Sequence, residues 1–405
     1  MLDTALTIRP LESEAEKRAA FALFRRSILI LPDLARLAPD LETRFLAQGA
    51  PIGAFENDEL LGTVNGYPGE IALPGGEWVR HLGVTHVGTA PHATRRGVAR
   101  RLLSHQLQAA RLQGYAVAGL RASDARIYGR YGYGIGSQAL RIELDLSRSR
   151  LAVPTRRDEL RPVDPLADLP LLQRIAAETP ARRGAQLRRW DSWWAMQEFR
   201  TRNGATPHHA ITLGPKGRER GYLRFHPEPS DNWLVARDRG VIIDDLIAHD
   251  AAAYRDLIGH LYAQDIIHRA TFPSRPLDDA LPLLIDDPRA VTLGAVKDES
   301  WLRILDLPGL LAKRHFGEGA AVVVSVTDEI LPANSGQWRL GPEAGATSER
   351  ADLQIGIGDL ASLLFGALEP QVLADAGRIT APDSVIERLA RLTTVSRKPH
   401  AGIAF

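Results

Sequence analysis

At 405 residues the chain is too long for one compact domain, so two or three are expected. A composition 44% hydrophobic and 24% charged is that of a soluble globular protein, and a formal net charge of +1 gives no push toward nucleic acid or anionic membrane. Cysteine is absent, which excludes disulfides, thiolate metal sites and a cysteine nucleophile.

The N-terminus lacks the charged-then-apolar pattern of a signal peptide, and no apolar run approaches about 18 residues. A cytoplasmic protein is expected. Residues 6–10 read as a strand and 14–27 as a helix, with Ser13 and Glu16 spaced as a capping box. Residues 28–45 read as a second helical region. Residues 52–55 and 60–67 are strands joined by Glu56-Asn-Asp-Glu59, a hairpin signal, and 70–74 and 78–87 add further strands.

The stretch from Val84 to Ala99 begins as a strand, passes Pro91, turns through Arg95, Arg96 and Gly97, and enters a helix. Ala99, Leu102, Leu103, Leu107 and Ala110 make an apolar stripe at helical spacing, and Gly114 stands where the helix would stop. Residues 116–120 read as the next strand. A strand, a turn and a helix N-terminus together make an anion site, because the first helical amides lack intrahelical partners and carry the positive end of the dipole. The loop lacks the Lys-Ser/Thr ending of a Walker loop and the three glycines of a dinucleotide fingerprint. Some thirty residues on, Ser123-Asp-Ala-Arg-Ile-Tyr128 leads into the Gly132-Tyr133-Gly134 turn.

Residues 151–169, with several prolines and charges, read as a linker. Residues 176–199 read as a helix whose Trp190, Trp193 and Trp194 pack in a core. Residues 210–213, 221–225 and 241–248 read as strands, and 251–264 as a helix. That last pair repeats the strand-then-helix plan, but its joint, His249-Asp250-Ala251, has neither a Gly-rich loop nor arginines, and Asp244 and Asp245 further disfavour phosphate. The twelve histidines show no paired ligand spacing, and adjacent His208 and His209 chelate poorly, so no metal is expected. From residue 300 the pattern changes. Residues 301–308 precede a short helix at 309–314, strands follow at 320–326, 336–340 and 351–357, and helices at 360–368 and 384–392.

Residues 84–99 resemble the pyrophosphate loop of the GCN5-related N-acetyltransferases, with Thr94 standing where that family favours Gln or Arg. Ile127–Gly134 resembles the same family's Tyr motif. With 301–308, a sterol-carrier-like stretch at 373–379 and a terminal Phe405, the whole chain resembles the enhanced intracellular survival (Eis) family. The resemblance implies a mixed α/β chain of tandem acetyltransferase folds followed by a sterol-carrier-like domain. Its domains would be an active one at 1–148, a degenerate one at 149–297 and the sterol-carrier-like one at 298–405. It implies acetyl-coenzyme A as cosubstrate, held by Val87, Gly88, Thr89, Arg95, Arg96, Gly97, Val98, Ala99 and Ser123. It implies Tyr128 as general acid and the Phe405 carboxylate as general base, a small-molecule amine such as an aminoglycoside, polyamine or lysine as acceptor, and a homo-hexamer. Asp33, Asp40 and Glu42 are candidate counter-charges for a cationic acceptor, and His86 and Asp33 are the fallback bases. The rival reading is a non-catalytic acyl-coenzyme A or lipid-binding protein built on the C-terminal domain.

Overall fold

The computed structural model describes residues 6–29, 39–156 and 159–403. They belong to two compact units, one of residues 1–137, 181–192 and 298–405, the other of residues 138–180 and 193–297.

The first unit opens with β1 (Thr7–Pro10), α1 (Glu14–Ile28) and α2 (Pro39–Ala47). Ser13 and Glu16 close the expected capping box at the start of α1. Strands β2 (Ile52–Glu56), β3 (Glu59–Ala72), β4 (Trp78–Thr89) and β5 (Val117–Leu120) follow, with α3 (Val98–Leu112) crossing between the last two. The sheet runs β1-β2-β3-β4-β5, antiparallel except for the β4–β5 pair that α3 connects. Residues 70–74 are not a separate strand. Pro68 sits inside β3 opposite Leu82, and the ladder runs through it to Ala72.

Helix α3 buries Val98, Leu102, Leu103, Leu107 and Ala110 against Leu61, Val64, Leu82 and Val84 of the sheet. The three leucines are fully covered, and each such burial stabilises by roughly 1.5–3 kcal/mol. A short helix, α4 (Ala125–Tyr128), then leads through a 3₁₀ turn into β6 (Gly134–Asp145).

The second unit holds β7 (Leu160–Val163), α5 (Leu169–Ala177), most of α6 (Asp191–Asn203), β8 (His209–Leu213), β9 (Gly221–Pro227), β10 (Gly240–Ala248), α7 (Ala251–Leu261), β11 (Arg269–Pro276) and β12 (Val291–Leu293). Its sheet runs β6-β11-β10-β9-β8-β7, and only the β10–β11 pair, joined by α7, is parallel. The strand, crossover helix and parallel strand therefore occur once in each unit. Two expectations change here. Part of the supposed linker is β7, which pairs with β8, and the supposed helix over 176–199 is two helices. Between them Pro180 lacks an amide proton, and Ala185 takes a φ of 63° that a helix does not allow.

The chain returns to the first unit with β13 (Lys297–Ile304), which pairs with β5. Then come α8 (Leu307–Leu311), β14 (Val322–Thr327), β15 (Gly336–Leu340), β16 (Gly345–Ala346), β17 (Leu353–Gly356), α9 (Ile357–Phe365), α10 (Pro370–Asp375) and α11 (Asp383–Thr393). These last strands form a separate four-stranded sheet, β16-β15-β14-β17. Among the described residues no helix is long and apolar enough to cross a membrane.

Candidate active site

The site forms where β4 leaves β5. Their pairing covers only His81–Gly83 against Val117–Gly119, although β4 runs on to Thr89. Beyond Gly83 that edge of β4 has no pairing with β5. On the other edge, Thr63 pairs with Gly88 and Asn65 with Thr85, so the single residue Val64 faces both His86 and Val87. This is a β-bulge, and His86 takes a φ of 51° to make it. A bulge leaves one residue out of the ladder, which fits Val87 as an amide donor in the opening. Gly88 is closely packed, since an added Cβ would stand 3.0 Å from the Phe24 Cα of α1.

The loop follows Ala90 and Pro91. Thr94 Oγ1 donates to the Pro91 carbonyl at 2.9 Å, so its hydroxyl serves the turn itself. Arg95 has a φ of 62° and Gly97 a φ of 81°. Gly97 is the N-cap of α3, no side chain caps the helix, and its first turn holds no acid. The Gly97 carbonyl accepts from Arg101, which leaves the Val98, Ala99 and Arg100 amides without helical partners. A Cβ at Gly97 would meet nothing within 4 Å, so glycine is needed there for its φ, and the space over the helix end is open. Arg96 pairs with Glu56 at 2.6 Å, while Arg95 is exposed. Open amides, a positive helix end and two arginines fit a diphosphate.

The corresponding joint in the second unit differs. Asp250 caps α7 and its carboxylate accepts from the Ala253 amide at 2.7 Å, while Arg220 pairs with Asp250 at 3.0 Å. That helix end already holds its own anion.

Tyr128 closes α4 and is buried, with its ring edge-on to Tyr133 at 6.0 Å. Burial raises its pKa above the ordinary tyrosine value, and hydrogen bonding with Ser123 partly opposes the rise. The phenol therefore keeps its proton at neutral pH. Tyr133 is buried more deeply, and its hydroxyl has no partner among the described residues. Gly132, at a φ of 78°, makes the turn between them, and a Cβ there would stand 2.8 Å from Ile357. The C-terminal domain thus packs directly on the Tyr128 turn.

On the other side of the bulge lies an aromatic wall. The His86 ring is surrounded by Phe24 at 4.8 Å, Phe21 at 4.9 Å, Phe45 at 5.8 Å and Tyr67 at 6.0 Å, and Tyr67 stacks on Trp190 at 5.8 Å. Asn65 accepts from the Gly66 amide, which turns its NH₂ toward His86 Nδ1 at 3.4 Å. That assigns the ring proton to Nε2. Burial lowers the His86 pKa to about 3. A neutral ring of such low basicity is a poor proton acceptor, which weighs against the fallback role for His86. Sequence reading missed this wall, since its members come from α1, α2, β3, β4 and the 181–192 segment.

Phe405 and Ala404 lie outside the described residues, as do Asp33 and the Glu42 side chain; Asp40 is exposed. The segment before Phe405 is tied down. The His400 amide donates to the Gly184 carbonyl at 3.1 Å, and the Ala401 carbonyl accepts from Leu187 at 3.0 Å. Glu299, itself buried, accepts from the Ala401 amide at 2.8 Å and from the Ser137 hydroxyl at 2.9 Å, and pairs with His400 at 3.2 Å. Ile403 is buried. Leu187 also bridges to Ile71 of β3, so the tail runs beside the sheet that carries the bulge. Nothing in the sequence marked Glu299 for this work.

Residues 7–136 and 185–304 each match an acetyltransferase (GNAT) domain family, and residues 307–402 match the sterol carrier protein domain family. An uncharacterised N-acetyltransferase of Streptomyces avermitilis is 34% identical over 339 residues, 81% of this chain and 82% of that protein. The crystal structure of Eis1 from Mycobacterium abscessus superposes with a TM-score of 0.91 at 32% identity, over 99% of this chain and 100% of that one. The chain belongs to the Eis family of N-acetyltransferases. The N-acetyltransferase Eis of Mycobacterium tuberculosis is a more distant relative, 28% identical over 79% of this chain and 78% of its own length. The protein is accordingly an acetyltransferase of the GNAT type, with two GNAT domains and a sterol-carrier-like domain. The Eis-type fold implies acetyl-coenzyme A as cosubstrate, and the open end of α3 fits its diphosphate.

Proposed function

We propose that this Eis-family enzyme acetylates small-molecule amines, using one acetyl-coenzyme A site per chain, in the first GNAT domain. The observation that carries the reading is the contrast between two helix ends. The N-terminus of α3 is uncapped behind Arg95 and Gly97, whereas that of α7 is filled by Asp250. The Val98, Ala99 and Arg100 amides, with Arg95 and Arg96, would hold the diphosphate, and Val87, Gly88 and Thr89 would line the opening of β4. Ser123 would keep the Tyr128 hydroxyl aimed. Bound acetyl-coenzyme A supplies an activated acyl thioester.

The chain's own residues then handle protons and position. The Val87 N–H, freed by the bulge, is the donor for the reacting carbonyl oxygen. Tyr128 holds a proton on its phenol oxygen, ready for the departing sulfur. The Phe405 carboxylate takes the ammonium proton of the acceptor. Terminal carboxyls ordinarily titrate near about 3.5, so this one is charged at neutral pH. The docking of residues 400–403 against Glu299, Gly184 and Leu187 supports a tail held in place rather than frayed. The aromatic wall around His86 excludes water on the acceptor side. A cytoplasmic homo-hexamer, with an aminoglycoside, polyamine or lysine as acceptor, completes the reading.

The rival, a lipid carrier, gains little from the C-terminal domain. One cavity there among the described residues, by Leu311, Arg314, Phe316 and Gly341, is about 360 Å³, at the small end for a ligand site, and it is lined by a buried guanidinium. The test measures coenzyme thiol release over a panel of amines, with titration calorimetry of acetyl-coenzyme A. Turnover with at least one amine and one site per chain are expected. No turnover together with a co-purified lipid would move the function to the carrier, and two calorimetric sites would refute the assignment to the first domain.

A further inference from the structure

The second unit gathers three metal-ligating side chains from three separate strand positions. Strand β9 contributes His226. On one side, the β8–β9 register pairs His209 with Phe225, which sets His208, the residue before β8, beside His226. Thr206 Oγ1 donates to the Pro227 carbonyl at 2.8 Å and ties the segment before β8 to the end of β9. On the other side, β10 pairs Ile242 with His226 and Ile243 with Phe225, but Asp245 with Arg224. Asp244 is the extra residue of a β-bulge. Bulges re-aim side chains, and this one delivers the Asp244 carboxylate to the same face as the two imidazoles.

The result is a compact donor set. Asp244 Oδ1 lies 2.9 Å from His226 Nδ1, and Asp244 Oδ2 lies 2.8 Å from His208 Nδ1. The two rings are tilted by 38° with centroids 4.6 Å apart. The ligand atoms of all three residues lie within 4.8 Å of one another. The side chains are only 7–18% exposed, so this is a recessed group rather than a solvated surface cluster. The backbone crowds His208 from behind, where a Cβ on Gly204 would stand 2.8 Å from its Nε2.

A hydrogen-bonded triad needs a proton on both Nδ1 atoms, each aimed at one oxygen of a single carboxylate. One divalent cation replaces both protons and binds all three groups. Metal–nitrogen and metal–oxygen distances near 2.0–2.2 Å would set tetrahedral donors about 3.3–3.5 Å apart, within reach of small side-chain rotations. Two imidazoles with one carboxylate suit zinc and its first-row neighbours, whereas calcium and magnesium take oxygen.

We propose that His208, His226 and Asp244 form a binding site for a divalent first-row transition cation, with Zn²⁺ the best fit and solvent in the fourth position. The cation clamps β8, β9 and β10, the strands on which α7 packs. The GNAT domain whose helix end carries its own aspartate thus has a cation site of its own.

The test uses full-length protein with no histidine tag, stripped with a chelator. Zn²⁺ is added, unbound metal is dialysed away, and retained zinc is measured by mass spectrometry beside the melting temperature. Wild type should retain one zinc per chain and melt higher with zinc than without. The shape-preserving variants His226→Gln and Asp244→Asn should bind zinc at least about 10–100-fold more weakly and show no zinc-dependent rise in melting. Co²⁺ in the wild type should give the intense visible bands of a four-coordinate site, a readout that needs no variant to fold. Wild type that retains no zinc and melts unchanged, or that gives only the weak spectrum of hydrated Co²⁺, overturns the proposal. Variants that retain zinc as the wild type does place the binding elsewhere and overturn it equally.

Discussion

Glu299 is the buried group on which the C-terminal tail hangs, so its replacement should loosen the tail. Its carboxylate accepts from the Ala401 amide and the Ser137 hydroxyl and pairs with His400. A hydrogen bond to a charged acceptor contributes about 1.5–3 kcal/mol, so losing the Ala401 bond alone shifts the docked-to-undocked ratio by roughly 10–150-fold. Ser137 keeps a second partner in Ser300 at 2.7 Å and suffers less. Glu299→Ala strips the whole cluster, leaving the buried Ala401 amide without its acceptor, and should lower the melting temperature. Glu299→Gln preserves the volume and one acceptor oxygen, and should reduce stability by only about 1–2 kcal/mol. The informative assay compares digestion of the C-terminus by carboxypeptidase with the kcat of thiol release. Glu299→Gln should be digested faster and turn over about tenfold more slowly, with acetyl-coenzyme A affinity unchanged because the α3 loop is untouched. If both variants keep wild-type turnover and wild-type resistance to carboxypeptidase, neither the clamp nor the working tail survives.

Tyr128→Phe should lower turnover by about 10²–10⁴-fold while calorimetry shows unaltered cofactor binding. Unchanged turnover would take the proton-donor role away from Tyr128. Extending the chain past Phe405 by a few residues replaces a carboxylate with a neutral amide, and should abolish activity in a protein that still melts normally; a fully active extended protein would send the search for the base to other acids. His81 predicts a pH effect. It is fully buried, and burial lowers its pKa to about 3 from an ordinary 6.5. Below pH 6.5 the unfolded chain therefore binds a proton that the folded chain refuses, so stability falls with falling pH. The slope approaches about 1.4 kcal/mol per pH unit between about pH 6 and 4 and ends near pH 3. Melting curves across that range should be shallower for His81→Gln, and identical slopes would show that His81 is not the group responsible.

Features whose causes lie within one or two helical turns were legible from the residues. The Ser13–Glu16 capping box, the apolar stripe of α3, the turn through Gly97 and the contrast between the Arg-rich loop and His249-Asp250-Ala251 all depend on near neighbours. The resemblance of 84–99 and 127–134 to a known family then supplied the chemistry. Where several chain segments meet, local pattern failed. The helix expected over 176–199 breaks because that stretch bonds to β3 and to the C-terminal tail instead of to itself. The three tryptophans read as core residues are buried, Trp190 stacking on Tyr67 and Trp193 meeting Trp194 edge-on.

The two bulges make the same point. Whether Val87 or Asp244 is the extra residue of its strand depends on how the neighbouring strand pairs, and no residue in either strand announces it. On spacing the histidines show no ligand pairing and Asp244 only disfavours phosphate, whereas register brings His208, His226 and Asp244 together; the Glu299 clamp has no spacing to read at all. The reason is physical. A helix closes its hydrogen bonds within four residues and so writes its periodicity into its own sequence. A sheet closes them with partners of any sequence separation, and the side chains a sheet brings together are chosen by register.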